Sequence, residues 1–461
     1  MRNSYPFKLL KALIFISLLS DCNKDLKEMQ PQNASSADFS TSAIRPNIIL
    51  IIADDVGREI PTYNGGQSYN TPNLDYLAAN GKQFSNFLSH PDGPPSRLAL
   101  VTGKYNYRNW VQFGYLPPSS LTFANMLQNR GYATCFTGKW QFDGGDISIR
   151  SHGFKKYLVF MPFNPDDNNG HDQFYRRYKN PYLYTDAHYL TDAQVKNKYS
   201  EDMFLDYAGK FIDSNKSKPF LLVYSHNLVQ KPWVPTPDDP NYAAWNPAVD
   251  DATKADTAYF PGMVAYMDKT IGRLVTKVKN AGLLQKTVII VISDNATNGV
   301  IRSKYKGKIV KGAKDQTIFD GINVPMIAYC PGSIAAGTDT SLVDMTDFFP
   351  TFAEIAGAAK TPYEPLDGAT FYDNLRGAIL PSKQRSEVYC YWPRTYQGKI
   401  DLSYATDYNY KLYDSLNGGG FYNIRKDIYE KSPIPNKQLT DDEKKIRNKF
   451  RKILRQGFEG Q

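Results

Sequence analysis

Residues 45–57 read RPNIILIIADDVG, and Ile48 to Ile52 form an unbroken apolar run. Five apolar residues without alternation fit a central parallel strand covered on both faces. The run ends abruptly on Asp54 and Asp55. A second run, Thr287 to Ser293, ends in the same way on Asp294 and Asn295. Further strands fit Ala133–Thr137, Phe220–His226 and Pro325–Cys330. Helical patterns lie between them, near 122–130, 200–214 and 258–280. TPNLDYLAANG, from Thr71, reads as a helix with Thr71 as N-cap, Pro72 in the first turn and Gly81 at the end. Strands alternating with helices over this length indicate an α/β fold, a large mostly parallel sheet sandwiched by helices.

From about residue 385 the texture changes. EVYCYW, DLSYATDYNYKLYD and FYNIRKDIY are short strand-like runs joined by Gly and Asn turns, as in a small antiparallel sheet. A last helix follows, with Thr440 and Glu443 in a capping-box pattern. The expected organisation is a leader at 1–21, a tether at 22–44, a main α/β domain at 45–384 and a C-terminal subdomain at 385–461.

The leader expectation rests on Arg2, Lys8 and Lys11 before an apolar run, Ala12 to Leu19, too short to span a bilayer. Leu-Ser-Asp-Cys, ending at Cys22, resembles a lipoprotein box, with Asp21 departing from the usual small residue. The following NKDLKE resembles the export tag of surface lipoproteins in Bacteroidetes-type bacteria. The expected location is therefore extracytoplasmic, with membrane attachment only through lipid on Cys22. Removing 1–21 takes three basic residues from 55 and one acidic residue from 46, leaving a balance of +7. A mild cationic excess favours polyanionic ligands, and no motif or basic block supports nucleic acid. Cys135, Cys330 and Cys390 show neither zinc spacing nor a disulfide framework. They read as buried thiols. The 33 Tyr and 25 Phe supply flat faces suited equally to packing and to sugar stacking.

Asp54, Asp55, Asp294 and Asn295 are oxygen donors at the ends of two strands, where ligand sites of open α/β sheets gather. Such donors suit a hard cation, Ca²⁺ or alternatively Mg²⁺. A third stretch, DGPPSRLALVTGKY from Asp92 to Tyr105, supplies Pro95, Ser96, Arg97, Leu100, Thr102 and Gly103 in a distinctive order. TGKW lies at Thr137 to Trp140, SDN at Ser293 to Asn295, and Lys314 precedes DGINVP. MTDFFPTFAEIAG then completes the set. In these motifs the chain resembles the formylglycine-dependent sulfatases, relatives of alkaline phosphatase, over roughly residues 45–430.

The resemblance implies that Asp54, Asp55, Asp294 and Asn295 hold the cation. Arg97, Lys139 and Lys314 would then surround a sulfate group. It also exposes three departures. The family's reactive Cys or Ser falls on Gly93, which has no Cβ to oxidise, so no formylglycine is expected. Two family histidines fall on Gln141 and Gln230, whose amides form hydrogen bonds but do not act as acid or base near neutral pH. Hydrolysis of a sulfate ester by the family's mechanism is excluded on this reading.

Three functions remain. The first is a hydrolase that keeps the sulfate pocket, with Gln141, Gln230 and Gly93 in its lining, as a recognition subsite on a sulfated oligo- or polysaccharide and cuts a glycosidic bond. Asp92, Asp143 and His226 are its candidate catalytic residues, because glycoside hydrolysis needs flanking carboxyl groups or a substitute base. Each also has a plain structural reading, as a turn residue or a satisfied strand-end histidine. NPDDNNGHDQFYRRY, with His171, Tyr175, Arg176 and Arg177, and YCYWPRTYQ, with Trp392, Arg394 and Tyr396, could line its subsites. The second is an inactive binder of sulfated glycans. The third is a hydrolase of another ester using metal-bound water.

Overall fold

The computed structural model describes residues 45–160, 176–247, 256–358, 365–378 and 384–459. The leader, the tether and Cys22, along with His171 and Tyr175, lie outside the described residues. No helix among the described residues is long and apolar enough to cross a membrane.

The first apolar run becomes β1 (Asn47–Ala53). The remaining strands of the main sheet are β2 (Lys82–Leu88), β3 (Ala133–Lys139), β4 (Lys156–Phe160), β5 (Tyr184–Thr185), β6 (His188–Tyr189), β7 (Phe220–Ser225) and β8 (Thr287–Ser293). After a separate hairpin of β9 (Arg302–Tyr305) and β10 (Lys308–Lys311) come β11 (Met326–Tyr329) and β12 (Gly337–Asp344). The ten-stranded order is β12-β2-β11-β8-β1-β7-β3-β4-β5-β6. β1 pairs in parallel with β7 and β8, β3 with β4 and β7, and β2 with β12. β11 runs antiparallel to both its neighbours, as does β5 to β4 and β6. The sheet is mixed and mostly parallel.

β1 sits at its centre because both of its faces are apolar. Ile49 and Ile51 join a core with Phe204 and Ile212 of the helix Ser200–Ser214 and Met263 and Ile271 of the helix Phe260–Asn280. Ile48, Leu50 and Ile52 join the opposite core, with Leu98 and Phe352. Each such side chain contributes about 1.5–3 kcal/mol when fully buried. Cys135, Cys330 and Cys390 are free and buried.

The C-terminal part is a four-stranded antiparallel sheet: β13 (Val388–Trp392), β14 (Leu402–Thr406), β15 (Tyr410–Tyr413) and β16 (Phe421–Asn423). One face packs Val388, Trp392 and Tyr404 against Leu88, Ile322 and Leu342 at the edge of the main sheet. The other receives Phe450 and Leu454 of the final helix, Asp441–Glu459. That helix starts with the expected capping box, in which Thr440 N–H donates to Glu443 at 2.9 Å.

Candidate anion-binding site at the strand ends

The chain leaves the carboxyl ends of β1 and β8 side by side. Asp54 N–H donates to the Leu228 carbonyl at 2.9 Å, and Asp294 N–H to the Ala53 carbonyl at 3.1 Å. Asp55 takes a left-handed backbone, φ 62°, which Asp tolerates better than bulkier residues. Its N–H donates to Asp294 Oδ1 at 3.3 Å. One oxygen each of Asp54, Asp55 and Asp294 lies within 4.8 Å of the others, and all three side chains are buried. Asn295 donates its amide N–H to Asp55 Oδ1 at 2.8 Å, turning its own oxygen free. Asp54 Oδ1, Asp55 Oδ2 and Asn295 Oδ1 are buried without a hydrogen-bond partner. Buried acceptors are ordinarily satisfied, so four residues offering oxygen donors, three of them with an orphaned oxygen, fit a hard divalent cation.

A basic shell surrounds this cluster. Helix α2 (Gly93–Thr102, the second of the main helices after α1, Pro72–Asn80) begins at Asp92, whose Oδ1 accepts from Gly93 N–H at 2.8 Å. Pro94 and Pro95 suit its first turn because they have no N–H to leave unpaired. One turn on, Arg97 Nε donates to Asp294 Oδ2 at 2.9 Å and Nη1 to Ser225 Oγ at 2.6 Å. Lys139, ending β3, donates to Asp54 Oδ2 at 2.7 Å and to Gln230 Oε1 at 2.8 Å. Lys314 reaches Asp55 Oδ1 at 2.5 Å.

Charge decides what this arrangement can hold. Three cations face three carboxylates in three close pairs, so their charges cancel. A divalent ion would carry the cluster to +2, the complement of an anion at its mouth. Burial alone would raise Asp54, but Lys139, Arg97, Lys314 and Arg177 overcome it and hold the carboxyl below its ordinary value. Burial pushes Asp294 up to about 6, against the Arg97 guanidinium.

Gly93 stands against these ligands. A Cβ there would lie 2.7 Å from Asp294 Oδ2 and 3.1 Å from Asn295 Oδ1. A side chain at residue 93 would thus point into the acidic cluster, and glycine leaves that space clear. Neighbouring hydroxyls are engaged elsewhere: Ser96 Oγ donates to the Asp92 carbonyl at 3.0 Å, and Ser89 Oγ to the His90 carbonyl at 3.0 Å. Gln141, two residues past Lys139, is buried at a φ of 62° with Oε1 unpartnered.

Of the three candidate catalytic residues, only Asp92 lies at this site. His226 points to the opposite side of the sheet, following the alternation of β7. Its ring is fully buried against Tyr224, with Nδ1 2.9 Å from Glu201. Glu201 also accepts from Asn227 N–H at 2.8 Å, so this trio fixes the turn after β7. Asp143 is half-buried, its N–H donating to the Gly114 carbonyl at 2.6 Å and its carboxyl facing His152. It touches none of the clamp residues. Arg176 pairs with Asp192 at 2.7 Å, while buried Arg177 sends its field to Asp54. Trp392 is buried in the C-terminal core, with Arg394 stacked on it at 5.1 Å.

Two features escaped the sequence reading. Tyr396 donates its phenol to Asp92 Oδ2, and its ring lies 5.8 Å from Trp110 and 5.2 Å from Phe113. Asp315, held by its N–H to the Pro91 carbonyl at 2.9 Å, sits close enough to feel the Asp92 charge. It reaches solvent, yet the surrounding protein and that charge push its carboxyl up to about 6. The only sequence signal was its place beside Lys314.

A mixed sheet flanked by helices, with acidic strand ends ringed by Arg and Lys, is the alkaline phosphatase-like architecture. The Sulfatase family model matches residues 46–358, and the chain belongs to that family. Human arylsulfatase A is 29% identical over 391 residues, covering 77% of this chain and 72% of that protein. A sulfatase of Formosa agariphila is 26% identical, covering 92% of each. Among solved structures, Ps i-CgsB superposes with a TM-score of 0.71 at 25% identity, over 90% of this chain and 94% of that one. A second structure of Ps i-CgsB holds k-i-k-neocarrahexaose.

Proposed function

We propose that this protein binds a sulfated oligo- or polysaccharide by one sulfate ester that it leaves intact, and cuts a neighbouring glycosidic bond. The observation that carries the reading is the contrast at α2. Arg97, Lys139 and Lys314 surround an acidic cluster fitted to a cation, while residue 93 offers no atom to attack sulfur. Asp54, Asp55, Asp294 and Asn295 would hold Ca²⁺ or Mg²⁺, and the ion would supply positive charge for the ester's oxygens. Gln230, taking a hydrogen bond from Lys139, and Gln141 would orient that group without proton transfer.

Asp92 and Asp315 supply the carboxyl pair that glycoside hydrolysis needs. Asp315, raised to about 6, suits the general acid that protonates the leaving oxygen. Asp92, which accepts from Gly93 N–H and Tyr396, would serve as nucleophile or base. Trp110, Phe113 and Tyr396 offer faces for a sugar ring. The leader-like segment and the Cys22 box support an extracytoplasmic setting for this activity. Support for a glycan comes also from the similar structure of Ps i-CgsB, which holds k-i-k-neocarrahexaose.

Weighing the products of sulfated galactan, fucan and glycosaminoglycan oligosaccharides tests the reading. Shorter fragments with every sulfate retained are expected. Free sulfate would overturn it, and saturable binding without products would leave a pure binder, since Asp92 would then serve only as the cap of α2.

A further inference from the structure

We infer a second anion subsite, separate from the Arg97–Lys139–Lys314 pocket, in the cleft where the C-terminal sheet meets the edge of the main sheet. The cleft encloses about 560 Å³ and is lined by Arg58, Lys306 and Arg425 with Asn86, Tyr305 and Phe319 among their neighbours. No carboxylate belongs to its described lining. Two guanidinium groups flank Phe319, Arg58 at 5.1 Å and Arg425 at 5.4 Å from the ring centre. Arg58 and Lys306 share Tyr305, at 5.2 and 5.0 Å. Stacking on a ring fixes a guanidinium while leaving N–H edges open to an acceptor.

Neutralisation of these cations is uneven. Arg58 has Asp320 at 3.3 Å and also acts on buried Glu59. Arg425 gives its Nε to the Tyr408 carbonyl at 2.6 Å and its Nη2 only a long 3.4 Å contact to Asn86. Lys306 and Arg425 are exposed. Like charges held this close repel unless an anion joins them. The neutral donors around them suit a sulfate ester carried on a sugar more than a bare ion pair.

Placement identifies the ligand. β2 runs parallel to β1, because β11 reverses direction between β2 and β8. The cleft borders the middle of β2 at Ser85 and Asn86, and its Arg58 lies three residues beyond Asp55 of the main site. We assign the cleft to another sulfate ester of the same saccharide chain, an inference that rests on the main pocket also taking one. The ligand class narrows to glycans with sulfates on separated residues.

Crystals of the protein soaked in sodium selenate with calcium, and measured at the selenium edge, test this directly. We expect an anomalous peak in the cleft as well as one beside Lys139. Arg58→Gln and Arg425→Gln should each weaken the cleft peak about tenfold across a concentration series, with the other peak unchanged and the melting temperature preserved. A filled main pocket beside an empty cleft overturns the second subsite alone, as does a cleft peak indifferent to both substitutions. A filled cleft beside an empty main pocket supports the subsite and removes the reading on which its ligand rests. Two empty sites overturn both.

Discussion

Gly93 carries the proposed separation of binding from cleavage. A Cβ there would project to within 2.7 Å of Asp294 Oδ2, so on this proposal the absence that removes a nucleophile also relieves crowding. Restoring bulk there should therefore weaken the site without restoring chemistry. Gly93→Ala is expected to displace Asp294 or Asn295 and to weaken calcium binding about tenfold or more, measured by calorimetry. Unchanged affinity would show that the cluster adapts and that glycine is not required. The nearness of Gly93 and Gln230 to the charged cluster was legible in the sequence because flanking motifs fix their positions. Asp315 and the Tyr396–Asp92 hydrogen bond were not, because their partners lie more than two hundred residues away in the chain (315 − 92 = 223 for Asp315) and nothing local marks them.

The elements were legible where the local pattern and the packing agree. β1 and β8 read as buried strands because Ile48–Ala53 and Val288–Ile292 are continuous apolar runs just before the acidic turns. The antiparallel course of β11 could not be read, since Met326–Tyr329 looks the same in either direction. Helix α1 shows a tertiary contact replacing a local one. Thr71 stands at its N-cap, but its side chain makes no capping bond. The first-turn N–H groups of Asn73 and Leu74 go instead to Asp268, on the helix Phe260–Asn280, at 3.0 and 2.8 Å. Burial, opposed by these bonds, raises the Asp268 carboxyl to about 6 from 3.8. Between those values the native state holds a proton that the unfolded state has lost, so stability falls as pH rises from about 4 to above 6. The contribution is bounded at about 3 kcal/mol. Denaturant melts of Asp268→Asn should lack this slope. A difference between variant and wild type that stays constant with pH would contradict it.

For the whole molecule, the acidic and basic groups at the strand ends form one electrostatic unit contributed by β1, β3, β8, α2 and the segment around Lys314. The three ion pairs hold the site together without a cation, so the protein should fold in EDTA. Saturating calcium should nevertheless stabilise it, by about 2.7 kcal/mol at a hundredfold excess over Kd. A melting temperature indifferent to both calcium and EDTA would mean that the orphaned oxygens bind no ion. The motifs revealed this unit's members, while the pairing of each cation with one carboxylate required the fold. Packing also withdrew His226 and Asp143, whose positions beside altered motifs gave no hint that the strand's alternation and the turn at Gly114 would carry them away.

If cation binding converts a neutral cluster into one bearing +2, then calcium must switch on affinity for sulfate. Isothermal titration of sodium sulfate into the full chain, once with calcium and once with EDTA, measures that switch. Binding that appears with calcium, disappears in EDTA and is lost in Lys139→Met is the expected result. Equal sulfate affinity in both buffers, or none in either, would contradict it.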